Sequence, residues 1–276
     1  MTRRPPRDRR FSRENERTDR PVRSHQESTT TRPNTLLRVA GVPAVSALFR
    51  HAPDRVVRLF YEERQARQLG DFCARMAKAR RPYRKVDGDE LTKIAGTVLH
   101  GGVVAIAEPQ SETLLTAAEC RRLMNLGTTL FVLDGIGNPH NVGAIARSLA
   151  FFGFGHLVLS GHPLQAGLSD AAYRIAEGGL DCLTVFRATN LTELLGKIKG
   201  HGRIVGTALG DQGQTLEALQ LQSKSNLILL GNEEQGLARA TLSLCDEILT
   251  LPGSGAVQSL NVAATVAIIA HALRPG

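Results

Sequence analysis

Leu130-Phe-Val-Leu-Asp-Gly-Ile-Gly-Asn-Pro-His-Asn-Val-Gly-Ala-Ile-Ala-Arg147 decides the fold of this chain. Leu130 to Leu133 read as a strand, a short apolar run bounded by turn residues. Gly135, Gly137 and Asn138 then turn the chain. From Val142 the apolar spacing becomes helical: Val142, Ile145, Leu149 and Phe152 share one face over Val142 to Phe152, with Asn141 as the expected cap. Strand, glycine-rich loop and helix form the opening of a parallel βαβ unit.

Two later loops share this layout. Gly231-Asn-Glu-Glu-Gln-Gly-Leu237 follows the strand Leu227 to Leu230, and Leu251-Pro-Gly-Ser-Gly-Ala-Val-Gln-Ser-Leu-Asn261 follows the strand Glu247 to Leu251. An α/β domain binds its ligand at loops beyond the carboxyl ends of strands. Three such loops imply one composite site and an enzyme. Their groups able to touch a ligand are Asn138, Asn141, Arg147, Glu233, Ser259 and Asn261.

Outward from this centre, strands are expected at His156 to Ser160, Leu183 to Phe186 and Ile204 to Ala208. Helices are expected at Asp170 to Ala176, Leu191 to Ile198 and Ser259 to Leu273. The alternation predicts an α/β domain over residues 128–276, with a mostly parallel sheet covered on both faces. Residues 109–127 read as a linker with one helix, Thr116 to Leu126. Residues 36–108 read as a small α/β domain, with a helix over Val39 to Arg50, a strand Arg55 to Tyr61, a helix Glu63 to Ala79, a short helix Asp89 to Ile94 and a strand Val103 to Ala107. Residues 1–35 are Arg, Ser, Thr, Pro and Glu with Phe11 as their one aromatic, a composition that predicts a disordered tail.

The net charge of +8 is unevenly placed: +6 over residues 1–38, +4 over residues 39–110 and −2 over residues 111–276. A basic front and a mildly acidic rear suggest a polyanion held by one part and worked on by another, with nucleic acid favoured over membrane because residues 1–35 lack an apolar face. Arg80, Arg81, Arg84 and Lys85 surround Tyr83, a pattern able to stack a base and hold phosphate. A solvated loop is the plainer reading of the same residues. No apolar run is long enough for a membrane span, and the arginine-rich start lacks the apolar core of a secretory signal. Cys73, Cys120, Cys182 and Cys245 are too scattered for a zinc site or a disulfide framework, so a reduced cytoplasmic protein without metal is expected.

Gly135-Ile-Gly137 after a strand suggests a dinucleotide fingerprint, but His140 occupies the place of its third glycine. No P-loop and no Gly-x-Ser-x-Gly elbow is present. The three loops as an ordered set, across residues 129–273, resemble the SpoU (TrmH) family of RNA ribose 2′-O-methyltransferases, of the SPOUT class. Asn141 and Arg147 fall on its first motif; Gly231, Glu233 and Gly236 on its second; Pro252, Gly255, Ser259, Leu260 and Asn261 on its third. Gly41, Ala44-Val45 and His100-Gly-Gly-Val103 resemble the substrate-binding domain that precedes the catalytic domain in many members. Gln258, Ala263 and Glu234 depart from the commonest pattern, and Glu234 adds negative charge near the phosphate path.

The resemblance implies S-adenosylmethionine as donor, a trefoil-knotted sheet, a homodimer, and tRNA or rRNA as substrate. Gly231, Asn232, Leu251 and Leu260, with the loop from Ala208 and Leu209, would hold the cofactor. Asn141 and Glu233 would position Arg147 or the nucleotide, and Ser259 and Asn261 would bond loop backbone or substrate. Arg147 would be the base or part of it, although guanidinium is normally protonated and more readily stabilises a developing oxyanion. A member that binds RNA without catalysis is the alternative.

Overall fold

A computed structural model describes residues 36–210, 213–219 and 225–275. The tail expected at residues 1–35 lies outside the described residues.

The front lobe runs β1 (Leu37–Ala40), α1 (Val42–His51), β2 (Val56–Tyr61), α2 (Gly70–Lys78), β3 (Tyr83–Lys85), α3 (Gly88–Ala95) and β4 (Val103–Ala107). Its sheet has the order β1-β4-β2-β3, with β4 antiparallel to both β1 and β2 and β3 parallel to β2. Two elements differ from expectation. Val39 belongs to β1, not to a helix: Leu37 and Val39 are buried, β1 is laid against β4 in register from Leu37↔Ala107 to Ala40↔Val104, and Gly41 at φ 98° turns the chain into α1. The helix expected over Glu63 to Ala79 is a 3-10 turn, Glu63–Gln65, followed by α2; Gly70, the first residue of α2, disfavours continuation toward the N-terminus.

The catalytic-type lobe runs β5 (Thr113–Leu114), α4 (Ala117–Asn125), β6 (Leu130–Asp134), α5 (Pro139–Phe151), β7 (His156–Ser160), α6 (Asp170–Ala176), β8 (Thr184–Ala188), α7 (Leu191–Ile198), β9 (Arg203–Thr207), α8 (Leu216–Leu219), β10 (Asn226–Gly231), α9 (Arg239–Leu242), β11 (Glu247–Leu249) and α10 (Val262–Leu273). All seven strands are parallel, in the order β11-β9-β10-β6-β7-β8-β5. The residues expected as a linker supply more than a connection: Thr113 and Leu114 pair with Phe186 and Arg187 at the sheet edge, and Cys120, Leu123 and Met124 enter the core.

Alternation along each strand splits the side chains between two covered faces. In β6, Phe131 and Leu133 join Val142, Ile145, Leu149, Val266 and Ile269 on one face. Leu130 and Val132 join Leu194, Leu195 and Ile198 on the other. The first of these clusters continues without a break into the front lobe, where it takes in Val39, Val45, Leu48 and Phe49. The helices α5 and α6 meet closely at Gly143, where an added Cβ would lie 2.4 Å from the Ala172 carbonyl oxygen.

From β6 the chain builds outward through β7 and β8, returns to β9, and places β10 between β9 and β6. The order therefore reverses between β6 and β10, the switch point where open α/β sheets bind ligands.

His156, at the start of β7, lies over Phe186 with 5.9 Å between ring centroids. Burial, and then the Arg122 charge, push its pKa below the ordinary 6.5. The folded state thus favours neutral imidazole, and the unfolded chain takes up the proton first as pH falls. Folding stability from this group should be complete above the ordinary pKa and decline as pH falls below it. His156→Gln should flatten the pH dependence of the thermal midpoint there; an unchanged slope would refute this.

Candidate functional site

The β6 and β10 strands are in register from Leu227↔Leu130 to Gly231↔Asp134, so their loops leave the sheet side by side. The first loop is fixed from behind by Gln165, whose Oε1 accepts from Gly135 N at 3.0 Å and Ile136 N at 3.1 Å. Asn232 ties the two loops together: its Nδ2 donates to the Gly135 carbonyl at 2.8 Å, while its Oδ1 accepts from Glu234 N and Gln235 N. The second loop folds back on itself as Asn232 and Gly236 exchange backbone hydrogen bonds. Gly231 permits this, since a Cβ there would lie 2.3 Å from the Gly236 carbonyl carbon and the Leu237 nitrogen.

The cap of α5 is Asn138, not Asn141. Asn138 Oδ1 accepts from His140 N at 2.9 Å, and Pro139 takes the first helical position, where it needs no N–H partner. Asn141 is thereby released for contacts between loops. Its Nδ2 donates to Glu233 Oε1 at 2.8 Å, and its Oδ1 accepts from Asn261 Nδ2 at 3.0 Å. Asn261 also caps α10, accepting from Ala263 N at 2.8 Å, so this helix begins at Val262 and Ser259 lies in the exposed loop before it. One residue from each of the three loops thus meets the others through a single carboxamide.

A cavity of about 510 Å³ opens here, lined by Gly137, Asn138, Asn141, Leu164, Asn232, Glu233, Glu234 and Gln235. Arg147, two turns along α5, does not line it. Its guanidinium is half-exposed and pairs with Glu177 at 3.0 Å.

A second cavity, of about 700 Å³, lies at the ends of β9 and β11. Ala208, Leu209, Gly210, Gly213, Leu242, Ser243 and Ile248 line it. Its loop is held to the neighbouring strand: Ala208 N donates to the Leu249 carbonyl at 3.1 Å, Gln214 N to the Ile248 carbonyl at 2.9 Å, and Thr250 Oγ1 to the Ala208 carbonyl at 3.1 Å. Small residues and an exposed Leu209 give a pocket with an apolar wall beside backbone polar groups, a chemistry suited to a nucleoside carrying a thioether or sulfonium. Ala208 and Leu209 line this cavity, while Asn232 lines the first. Gly231, Leu251 and Leu260 line neither. Leu242 and Ser243 were missed because the four-residue α9 has too few positions to show a period.

The basic cluster of the front lobe divides on inspection. Arg81 is committed to its own fold, its Nη1 donating to the Pro53 and Val56 carbonyls at 2.9 Å each. Arg84 pairs with Glu90 and covers the Phe60 ring, and Lys85 pairs with Glu63. Tyr83 is exposed on the edge strand β3, and the exposed Arg80 forms no ion pair with the described residues.

Comparison with known proteins gives one answer over both lobes. Residues 128–271 match the SpoU rRNA Methylase family, and residues 38–113 match the family described as RNA 2′-O ribose methyltransferase substrate binding. A 23S rRNA (guanosine-2′-O-)-methyltransferase RlmB from Bordetella pertussis is 30% identical over 233 residues, covering 83% of this chain and 93% of that protein. An uncharacterized tRNA/rRNA methyltransferase, YfiF of Escherichia coli O157:H7, is 31% identical over 232 residues, covering 84% of this chain and 66% of that protein. Among solved structures, an AdoMet-bound rRNA methyltransferase from Sinorhizobium meliloti shares the fold with a TM-score of 0.68 at 22% identity, over 87% of both chains. The SpoU methyltransferase AviRb from Streptomyces viridochromogenes does so at 0.66 and 23%, over 87% of this chain and 88% of that one. The first match alone spans more than half of the sequence, and the chain belongs to the SpoU rRNA methylase family.

Proposed function

We propose that this chain methylates a ribose 2′-hydroxyl of RNA, with S-adenosylmethionine as donor and ribosomal RNA as substrate. The observation that carries the reading is the Asn141 carboxamide joined to both Glu233 and Asn261, which brings the three family motifs to one place. The names of the relatives support the rRNA class and the ribose oxygen.

When bound, the donor supplies a methyl group already activated on sulfonium. The protein must align the hydroxyl oxygen with it, an effect worth about 7–11 kcal/mol at best, and must help the hydroxyl lose its proton, typically about 10²–10⁴-fold. As a guanidinium with no acceptor site, Arg147 holds phosphate and stabilises charge growing on the 2′-oxygen, whose proton passes to solvent. Asn141 and Glu233 fix the wall of the nucleotide cavity. Ser259 and Asn261 would bond loop backbone or substrate beside it. Ala208 and Leu209 would hold the donor, and the resemblance adds Gly231, Asn232, Leu251 and Leu260 to that site and a trefoil knot to the sheet. Arg80 and Tyr83 engage RNA in front, with Arg84 and Lys85 released from their carboxylate partners when phosphate competes.

The enzyme acts as a homodimer in the cytoplasm. Exposed Phe151 and Ile268, on the packed helices α5 and α10, support a subunit contact on that face.

The test is transfer of labelled methyl from S-adenosylmethionine into rRNA and tRNA from cells lacking the enzyme, followed by nuclease digestion. Label in a 2′-O-methylated nucleoside of rRNA is expected. Cofactor binding without label in any RNA would overturn the catalytic reading.

A further inference from the structure

Glu177 occupies a place that seldom suits a glutamate. It follows α6 in the left-handed region, at φ 45° and ψ 41°, and is one of two non-glycine residues with positive φ among the described residues. Glycine or asparagine is the usual choice there, because a side chain strains the backbone. Gly178 comes next at φ 95°, and Gly179 is pressed onto α5. A Cβ on Gly179 would lie 2.7 Å from the Cα of Arg147 and 2.9 Å from the Ala146 carbonyl oxygen. The turn is therefore laid against the very part of α5 that carries Arg147, and the Glu177 carboxylate forms an ion pair with Arg147 Nη2 at 3.0 Å.

The rest of the segment is held by the front lobe. A Cβ on Gly178 would lie 2.3 Å from the Cβ of Ala47 in α1. Asp181, its side chain buried, receives Arg55 Nη1 at 2.6 Å, and Arg55 Nη2 donates to the Tyr173 hydroxyl at 3.0 Å. Stability does not account for the glutamate. The Arg147 and Glu177 side chains are 56% and 46% exposed, exposed pairs of this kind stabilise little, and the left-handed backbone works against the residue. Strain kept without a return in stability points to function.

We infer that Glu177 is a positioning residue for Arg147: it holds the guanidinium in its working orientation from a turn braced between α5 and the front lobe. The inference rests on Arg147 acting at the ribose hydroxyl. The carboxylate meets the guanidinium at Nη2 alone, which leaves its other donors to face RNA. A fork already oriented loses less freedom on reaching the transition state.

Glu177→Gly in the full chain separates this role from a structural one, since glycine relieves the left-handed strain and should leave the thermal midpoint unchanged or raised. Methyl transfer should lose about 10- to 100-fold in kcat, with KM for RNA and cofactor affinity altered by no more than about threefold. The ¹⁵N relaxation of the Arg147 Nε–H, assigned by its disappearance in Arg147→Ala, should report a more mobile side chain. Glu177→Gln, which keeps an oxygen acceptor, should recover part of kcat. A kcat within about twofold of the parent in both variants, or an Arg147 signal unchanged in Glu177→Gly, would overturn the inference. A parent enzyme that methylates no RNA would instead refute the function, and the relaxation comparison would still decide whether Glu177 holds Arg147.

Discussion

Arg147→Ala should lower methyl transfer by about 100-fold or more, the scale set by removing one charge-stabilising donor from a reaction centre. Its thermal midpoint should scarcely move. Among the described residues the ion pair lost is the half-exposed one to Glu177, and such pairs contribute about 0–1 kcal/mol. The carbon stem of Arg147 lies outside the buried stripe formed by Val142, Ile145, Ala146 and Leu149. Affinity for S-adenosylmethionine should stay within a few-fold, since Arg147 lines neither cavity. Calorimetric binding beside single-turnover methylation would show this; turnover near that of the parent would remove Arg147 from the chemistry.

Gly143→Ala should be among the small changes most damaging to folding. The added methyl would meet the Ala172 carbonyl oxygen at 2.4 Å and Ile175 Cβ at 3.0 Å. The nearest obstacle is backbone, so no rotamer change relieves it, and α5 must move away from α6. Overpacking typically costs about 1–3 kcal/mol, and the backbone contact puts this case at the upper end. Alanine would return up to about 1 kcal/mol of helix propensity, leaving a net loss that should lower the midpoint by several degrees. Activity should fall further than stability, because α5 carries both Asn141 and Arg147. A variant melting at or above the parent would refute the packing account.

Much of this was legible in residues whose signals are local. The α6 and α7 helices begin where the sequence indicated because Ser169 and Asn190 cap their N-termini. The six strands expected in the catalytic lobe were visible as short apolar runs, and the three loops as glycine-rich breaks after strands. The start of α5 was misplaced by counting from the apolar stripe, although Asn138-Pro139 is the stronger local signal for cap and first turn. The β1 strand was hidden because four residues, three of them buried, show no clear period; its identity comes from pairing with β4, more than 60 residues away. The β3 strand was concealed by its charge, since Tyr83, Arg84 and Lys85 are all exposed. The structural duties of Arg81 and Gln165 leave no trace in spacing, since both act on backbone groups that are remote in sequence.

The core that continues from β6 into α1 bears on how such a chain can be taken apart. Lobes joined by a tether alone can be exchanged between relatives as cassettes, each bringing its own stability. Here a cut at residue 108 would expose Val45, Leu48 and Phe49 on one side and Tyr173 and Ala176 on the other. It would also take from Asp181 its partner Arg55. A foreign front lobe grafted alone would therefore meet an unmatched core. The recipient surface around Tyr173 and Asp181 has to travel with it, so the two lobes are inherited as one folded unit.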